Sequence, residues 1–247
     1  MSGERLYNDA DLAQFYDLDN GWADDTRFCL DLAKHAGSVL DLGCGTGLLA
    51  AEIATSGKRV VGADPAAAML DVARSRPGGE RVRWVEADAR TMWLGESFDL
   101  IMMTGHAFQV FLTSEDRLAV LSTIAAHLTP DGRFIIDSRN PAVEEWREWT
   151  PERSHRIVEH PTLGPVEAWN DVRRDEATGI VTYDTFYRAA DGSRAFSATS
   201  KLGYPAKEEI DRLIAAAGLT VERWMGDWRG GALSGDAPEI IPIGRLA

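Results

Sequence analysis

Three glycines at every second position interrupt the chain directly after a short apolar run at residues 39–42. The run, Val-Leu-Asp-Leu, is too short for a helix and is typical of a buried parallel strand. Gly43, Gly45 and Gly47 allow a sharp turn and a close approach to a ligand, because they carry no Cβ. Helical spacing begins at residues 48–54, so the sequence predicts a strand, a glycine loop and a helix N-terminus in succession. In α/β folds this arrangement cradles nucleotide-like ligands.

Asp41 bears on which ligand such a loop accepts. Dinucleotide folds use G-x-G-x-x-G and place a pyrophosphate on the helix N-terminus, whereas here the third glycine comes one residue early. A carboxylate before the turn would repel a pyrophosphate and would suit a ligand that carries an ammonium or a sulfonium group. No G-K-[ST] follows, which excludes a P-loop. The three glycines taken alone could also form a tight strand-to-helix turn that binds no ligand.

Acidic residues also end the next two predicted strands. Residues 59–63 form the second strand, and Asp64 ends it at the distance from the glycine loop where an acid can accept hydrogen bonds from ribose hydroxyls. The third strand, at 82–86, leads to Asp88, which could accept from an exocyclic amine of adenine, with the Ala89 amide beside it. Each acid alone is more typical of a turn or a helix cap. Acids at three consecutive strand ends on one sheet edge indicate a ligand site.

Four segments occur in a fixed order along residues 38–138. They are Asp41–Gly47, Asp64 with Met69-Leu70, Glu86-Ala-Asp88-Ala89, and Phe98-Asp-Leu-Ile101. Together they resemble the successive motifs of class I S-adenosylmethionine-dependent methyltransferases. The order of all four is far more specific to that family than any one motif. The resemblance implies S-adenosyl-L-methionine as cofactor, S-adenosyl-L-homocysteine as product and methyl transfer to a nitrogen or oxygen as the reaction.

The same resemblance implies a role for individual residues. Gly43 and Gly45 would lie against the methionine part of the cofactor, Asp64 would hold the ribose, and Met69 would pack on the adenine ring. Asp88 and the Ala89 amide would bind the adenine edge. The full predicted cofactor-binding set is Asp41, Gly43, Cys44, Gly45, Asp64, Pro65, Met69, Asp88, Ala89, Arg90 and Thr104.

Strand and helix patterns alternate up to about residue 137, which predicts a doubly wound, mostly parallel sheet. Pro130-Asp131-Gly132 predicts a turn into the fifth strand. Residues 155–203 alternate with a period of two, and Asp191-Gly192 favours an antiparallel hairpin there. We therefore expect an α/β, Rossmann-like fold with a seven-stranded sheet and an antiparallel β insert that acts as a lid. The expected parts are an N-terminal helical segment over the cleft at 1–36, the cofactor-binding core at 37–140, the insert at 141–204, and the C-terminal helix with the last two strands at 205–247.

The formal charge of −13 disfavours nucleic acid and anionic membrane surfaces as partners, because binding to either needs a basic face. The arginines at 173–174 are interleaved with acids, and we interpret them as a solvated surface. A small-molecule acceptor is favoured instead. Two cysteines argue against a disulfide framework and fit a cytoplasmic location, and the N-terminal residues do not have the pattern of a signal peptide. No metal-ligand spacing occurs, so we expect no metal. The open edges of the insert suggest a possible homodimer.

The candidate catalytic residues are His106 and Tyr16. An in-line methyl transfer needs mainly correct placement of donor and acceptor, and an amine or hydroxyl acceptor also profits from a base with a pKa near neutrality. His106 follows the fourth strand at the carboxyl edge, where a histidine could be such a base or only a hydrogen-bond donor. Tyr16 could line the same cleft or belong to the core. The predicted substrate-binding residues, chosen by position, are Trp22, Gln109, Arg139 and Asn140.

Two alternative functions stay open on the sequence. One is a nicotinamide-dependent reductase, which the glycine spacing and Asp41 disfavour. The other is a non-catalytic module that binds S-adenosylmethionine without turnover, because binding residues alone do not establish catalysis.

Overall fold

A computed structural model describes residues 5–247, so the first four residues of the predicted N-terminal segment lie outside the described part. The α-helices are α1 Arg5–Asn8, α2 Ala10–Ala13, α3 Tyr16–Asp19, α4 Asp24–Ala33, α5 Leu48–Thr55, α6 Ala67–Ser75, α7 Ser114–His127, α8 Pro151–Ser154 and α9 Lys207–Ala216. The strands are β1 Ser38–Leu42, β2 Arg59–Asp64, β3 Arg83–Glu86, β4 Phe98–Met103, β5 Leu128–Ile136, β6 Ser138–Arg139, β7 Arg156–His160, β8 Gly164–Arg174, β9 Val181–Ala189, β10 Ala195–Leu202, β11 Leu219–Met225 and β12 Glu239–Leu246. Short 3-10 turns occupy Gly79–Arg81, Ala107–Val110 and Glu145–Glu148.

The central sheet has the strand order β11-β12-β5-β4-β1-β2-β3, with β6 paired to β12 beyond the end of β5. Pairs within β3, β2, β1, β4 and β5 are parallel, and β12 runs antiparallel to both of its neighbours. The expected doubly wound, mostly parallel, seven-stranded sheet is thereby confirmed. The strand order reverses direction between β1 and β4, and in such sheets ligands bind in the crevice at that point.

The sheet is buried on both faces. One face packs against α7 and α9 in a cluster that includes Leu40, Phe98 and Ile124, and the other packs against α4 and α5 in a cluster that includes Cys29 and Ile53. Two covered faces explain why β1 and β4 are nearly continuous apolar runs rather than alternating ones. Only the strand ends are free to carry polar groups, which confines the chemistry of this fold to the sheet edges.

The fifth strand differs from the prediction of a turn at residues 130–132. Strand β5 already begins at Leu128, which pairs with Phe98, and the pairing shifts register before Arg133 pairs with Leu100. The residues of the predicted turn are accommodated in this irregularity, where Pro130 and Asp131 are not buried. Strand β5 therefore follows α7 directly, and a short irregularity at the edge of the sheet takes the place of the predicted turn.

Strands β7 to β10 form a separate four-stranded antiparallel sheet in the order β10-β9-β8-β7. It confirms the predicted insert, and its four strands follow the expected alternation closely. A small core that includes Phe15, Val166 and Tyr187 joins this sheet to the N-terminal segment, and the ring of Phe15 stacks on Tyr187 at 4.2 Å. Across residues 5–247, no helix is both long and apolar enough to cross a membrane.

Helix α3 connects the two sheets through two acids. Asp17 accepts a hydrogen bond from Thr46 Oγ1 in the glycine loop and forms an ion pair with Arg76, each at 2.5 Å. Asp19 accepts from Arg156 at 2.6 and 2.8 Å and from the Tyr187 hydroxyl at 2.6 Å. The N-terminal segment is therefore fastened both to the central sheet and to the insert.

Candidate active site

The glycine loop at residues 43–47 has the conformation that its sequence predicts. Gly43, Gly45 and Gly47 all have positive φ, at 78°, 52° and 73°. A Cβ on Gly47 would lie 2.3 Å from Trp84, which leaves no room for a side chain. The loop backbone can therefore turn from β1 into α5 only with glycine at these positions.

Asp64 lies at the end of β2, directly beside the glycine loop. Its two carboxylate oxygens accept hydrogen bonds from the backbone N–H of Gly45 at 2.9 Å and of Ala66 at 2.8 Å. Burial raises the pKa of Asp64, and these two hydrogen bonds oppose that rise. Each oxygen keeps a further lone pair, so the carboxylate is oriented and can still accept from a ligand.

Asp41 is more deeply enclosed than Asp64. Burial, reinforced by the charge of Asp64, raises the pKa of Asp41 to about 7. The carboxyl groups of Asp41 and Asp64 thus share one poorly solvated region at the start of the glycine loop. Cys44 lies in the same loop, between Gly43 and Gly45. A cationic ligand group near the two carboxyl groups would relieve their mutual repulsion.

Asp88 follows β3 and forms an ion pair with Arg90 at 2.6 Å, and Arg90 also pairs with Asp116 at 2.9 Å. The hydrogen bonds from Arg90 lower the pKa of Asp88 and keep it charged. Ala89 is buried beside this pair. The predicted adenine-binding carboxylate is therefore held by a guanidinium group and remains partly exposed.

Tyr16 covers the glycine loop from the N-terminal segment. A Cβ on Gly45 would lie 3.7 Å from its ring, and a Cβ on Gly105 would lie 3.9 Å from its hydroxyl. Burial raises the pKa of the Tyr16 phenol, with a further contribution from nearby Tyr183 and Asp64. Met69 on α6, after Pro65 at the end of β2, packs in the same cluster as Tyr16. The structure thus brings Tyr16 to the mouth of the loop.

His106 follows Thr104 and Gly105 at the end of β4, and two acids hold it. Its backbone N–H donates to Asp137 at 3.0 Å, and its Nε2 lies 3.0 Å from Glu239 Oε1 and 3.6 Å from Asp137 Oδ2. Burial lowers the pKa of His106, but the charges of Asp137 and Glu239 outweigh that effect and the net pKa is raised. Burial also raises the pKa of Asp137, to about 6. The imidazole is therefore fixed beside two carboxylates that favour its protonated form.

The backbone of His106 is itself constrained. Its φ of 62° lies in the left-handed region, where a residue with a side chain is uncommon. The hydrogen bonds from its N–H to Asp137 hold this conformation in place. Such a local cost is typical of functional positions, because the surrounding structure has to maintain it.

The predicted substrate-binding residues occupy different surroundings. The Gln109 amide is fully buried, donates to Gly203 O at 2.9 Å and accepts from Arg139 at 3.2 Å. The Asn140 amide donates to Gly235 O and Ala237 O. The Arg139 guanidinium lies between Glu145, at 3.1 Å, and the Trp149 ring, at 5.0 Å. Trp22 is 40 % exposed in the bend before α4.

Asp137 and Glu239 belong to this site but are absent from the sequence-based set. Asp137 had a signal, because it directly follows the fifth strand as the other acids follow theirs. Glu239 had none, since it reaches the site only through the pairing of β12 with β6, opposite Arg139. Glu239 Oε2 and the Tyr204 hydroxyl are buried without a hydrogen-bond partner. Buried polar atoms without partners are rare in folded proteins, and a bound water, ion or ligand group commonly satisfies them.

Ligand atoms of His106, Asp137 and Glu239 lie within 4.8 Å of one another, a spacing that a metal ion could use. The hydrogen bond between His106 and Glu239 engages one atom of each of these two groups. The Arg139 guanidinium is close enough for its charge to lower the pKa of both His106 and Asp137. The cluster therefore combines an imidazole, two carboxyl groups and a nearby fixed cation.

Comparison with known proteins places this geometry in context. A family profile described as "Methyltransferase domain" matches residues 39–132. A cypemycin N-terminal methyltransferase of Streptomyces sp is 36% identical over 105 residues, which span 42% of this chain and 43% of that protein. A dTDP-3-amino-3,6-dideoxy-alpha-D-glucopyranose N,N-dimethyltransferase of Streptomyces fradiae is 28% identical over 90% of this chain and 88% of its own.

Among solved structures, the CcbJ methyltransferase of Streptomyces caelestis superposes with a TM-score of 0.79. The match covers 98% of each chain at 21% sequence identity, so it establishes the shared fold. These comparisons give no support to a nicotinamide-dependent reductase or to a non-catalytic module.

Proposed function

We infer that this chain, which is a class I S-adenosylmethionine-dependent methyltransferase, transfers the methyl group to a nitrogen atom of a small-molecule acceptor. We infer nitrogen rather than oxygen because two carboxylates lie next to His106. An amine arrives as an ammonium ion, which these charges attract, and it has to lose a proton before it can act as a nucleophile. An imidazole held by Glu239 is placed to accept that proton.

The cofactor supplies an electrophilic methyl group on a positively charged sulfur. The residues around the β1–β4 crevice fit it, since the glycine loop permits close approach and Asp41 and Asp64 provide negative charge beside the loop. We assign Asp64 to the ribose hydroxyls and Asp88 with Ala89 to the adenine edge. In this role the Asp88–Arg90 ion pair orients the carboxylate. Gly43 and Gly45 would face the methionine part.

With the cofactor bound, the nitrogen lone pair would form the new bond to the methyl carbon as the carbon–sulfur bond breaks, and the bonding pair would stay on sulfur. His106 would take the proton released from nitrogen. Most of the acceleration in such an in-line displacement comes from placement of the two reactants in a water-poor site. We assign that placement to Tyr16, whose ring lies beside Gly45 and whose hydroxyl lies beside Gly105.

Aromatic rings on the insert and the N-terminal segment support a cationic acceptor. The hydroxyls of Tyr7 and Tyr183 lie 3.3 Å apart, Tyr7 packs edge-on against Tyr16, and Trp149 packs edge-on against Tyr183. Ammonium groups bind favourably over such ring faces. Glu239 Oε2 and Tyr204 would then find partners in polar groups of the acceptor next to the reactive nitrogen.

The experiment is a methyl-transfer assay with labelled S-adenosylmethionine over acceptors in matched pairs, each an amine and the alcohol of the same skeleton. We expect incorporation into amines, and a His106→Gln variant should lower kcat at least tenfold without weakening the binding of S-adenosylhomocysteine. Transfer to the alcohols alone would contradict the nitrogen assignment. An unchanged kcat in His106→Gln would remove His106 from the proton transfer.

Several expectations stay predictions. They are the lid role of the insert, the division at residues 36, 140 and 204, a possible homodimer through the insert, a cytoplasmic location, the absence of a metal, and the acceptor contacts of Trp22, Gln109, Arg139 and Asn140. The hydrogen bonds of Gln109 and Asn140 favour a structural role for these two residues. Gln109 holds the end of the insert at Gly203, and Asn140 holds the segment before β12 at Ala237.

A further inference from the structure

Away from the crevice, a cavity of about 540 Å³ opens between the two short helical turns after β6 and strand β8. We call it the arginine cavity, because its wall consists of Arg147, Arg153, Arg173 and Arg174 together with Trp146, Thr150 and Val172. The sequence shows only the adjacent pair at 173–174, which reads there as a solvated surface. The fold adds two further arginines from a segment about twenty residues earlier.

The charge of this wall contrasts with the rest of the protein. The chain carries a formal charge of −13, yet every charged residue in the wall is an arginine. Each of the four does have an acidic partner, and these partners, which stand outside the wall, are Glu144, Glu148, Asp184 and Glu176. Most of these side chains are solvent-exposed, with Asp184 the main exception at 22%, and exposed pairs contribute little stability. A multiply charged anion can therefore compete with the carboxylates for the guanidinium groups.

The chemistry of the wall indicates which anion fits. Guanidinium groups bind phosphate oxygens through paired hydrogen bonds, and several around one space favour a group with more than one negative charge. The volume exceeds what a single phosphate needs. Trp146 and Val172 add an apolar surface for the organic part of a ligand, and the Arg174 guanidinium lies 5.7 Å from the Trp146 ring.

We propose that the arginine cavity binds a phosphorylated small molecule through its diphosphate group. Trp146 is held in the wall of the cavity by Tyr204, whose ring lies 4.5 Å from its own at an interplanar angle of 71°. The proposal does not depend on methyl transfer.

The test is isothermal titration calorimetry with inorganic pyrophosphate at low salt. Arg153→Gln and Arg173→Gln are combined in one variant, because one comes from each side of the cavity. The matched control combines Arg59→Gln and Arg83→Gln, two exposed arginines that share Glu96 on another surface. We expect saturable binding to the wild type, at least tenfold weaker binding to the cavity variant, and unchanged binding to the control.

The proposal fails if the wild type shows no saturable binding, or if the cavity variant binds as tightly as the control. Titration of all three proteins with S-adenosylhomocysteine reports on the crevice separately. Normal cofactor binding without pyrophosphate binding would overturn the cavity proposal and leave the proposed function intact. Pyrophosphate binding without cofactor binding would support the cavity proposal and contradict the proposed function.

Discussion

His106 Nε2 lies 3.0 Å from Glu239 Oε1, although 133 positions separate the two residues in the sequence. The contact exists because β12 returns through the central sheet and pairs with β6 directly beyond β5. The last strand of the fold therefore completes a site whose other parts follow β1, β2 and β4. It gives the imidazole a charged partner, which adds to the effect of Asp137 in raising the pKa of His106 against burial.

Replacement of Glu239 by Gln should move the acid limb of the pH–rate profile to lower pH. The carboxylate raises the pKa of His106, so its loss lowers that pKa and leaves the imidazole neutral at more acidic pH. The measurement is kcat/KM against pH, which reports the free enzyme. Glu222→Gln, an exposed acid paired with Arg133, is the control and should keep the wild-type profile. An identical acid limb in Glu239→Gln would show that His106 does not titrate in the rate-limiting step.

Replacement of Asp64 by Asn should weaken cofactor binding strongly. Hydrogen bonds to a charged acceptor contribute about 1.5–3 kcal/mol each, which corresponds to a loss of roughly ten- to a hundredfold in affinity. Calorimetry with S-adenosylhomocysteine measures this loss. Asp71→Asn on the exposed side of α6 is the control, because Asp71 pairs only with Arg74 in the described structure. Equal affinities for the two variants would contradict the ribose assignment.

The sheet edge that carries the proposed cofactor-binding residues could be predicted from the sequence because its parts are local. The glycine loop, Asp64 and Asp88 each stand next to the strand that positions them, and parallel strands bring their carboxyl ends to one edge. The strands of the insert could also be predicted, because a period-two alternation can be recognised within a few residues. Short-range pattern and position were sufficient for both.

The acceptor side depends on long-range packing, which the sequence does not display. Glu239 and Asp137 meet at His106 only because β12 pairs with β5 and β6. Gln109 shows what position alone leaves out. Its place after the fourth strand predicts a ligand contact, and in the fold its amide also bonds Gly203 and Arg139. Position on a loop predicts nearness to a site, whereas the partners of a buried amide are decided by the tertiary fold.

Replacement of Asp19 by Asn should loosen the N-terminal segment from the insert. Asp19 accepts from Arg156 and from the Tyr187 hydroxyl in partly buried surroundings, so its loss leaves the Arg156 charge without its partner. We expect a decrease of about 1–3 kcal/mol in the free energy of unfolding, measured by urea denaturation. Asp31→Asn, which disrupts only an exposed pair with Lys34, should change it by less than about 0.5 kcal/mol. Similar values for both would show that the Asp19 contacts do not hold the segment.

Replacement of Gly47 by Ala tests whether the glycine loop is fixed by packing as well as by backbone conformation. A Cβ at Gly47 would lie 2.3 Å from Trp84, and overpacking of this kind costs about 1–3 kcal/mol in addition to the cost of a positive φ, about 1–2 kcal/mol. Gly57→Ala is the matched control. Its φ of 79° is similar, and among the described residues no heavy atom lies within 4 Å of its Cβ position. The control should therefore lose only the backbone contribution in urea denaturation.

Combined with Gly47→Ala, Trp84→Phe should restore part of the lost stability, because the smaller ring leaves room for the new methyl group. Combined with Gly57→Ala, the same substitution should restore none. Recovery in the double variant would assign the excess loss to the Gly47–Trp84 contact, since additivity fails only for residues that interact. Equal destabilisation by Gly47→Ala and Gly57→Ala would mean that Trp84 moves aside freely. In that case the third glycine would serve the turn alone, and the close approach of β3 to the loop would have no part in shaping the crevice.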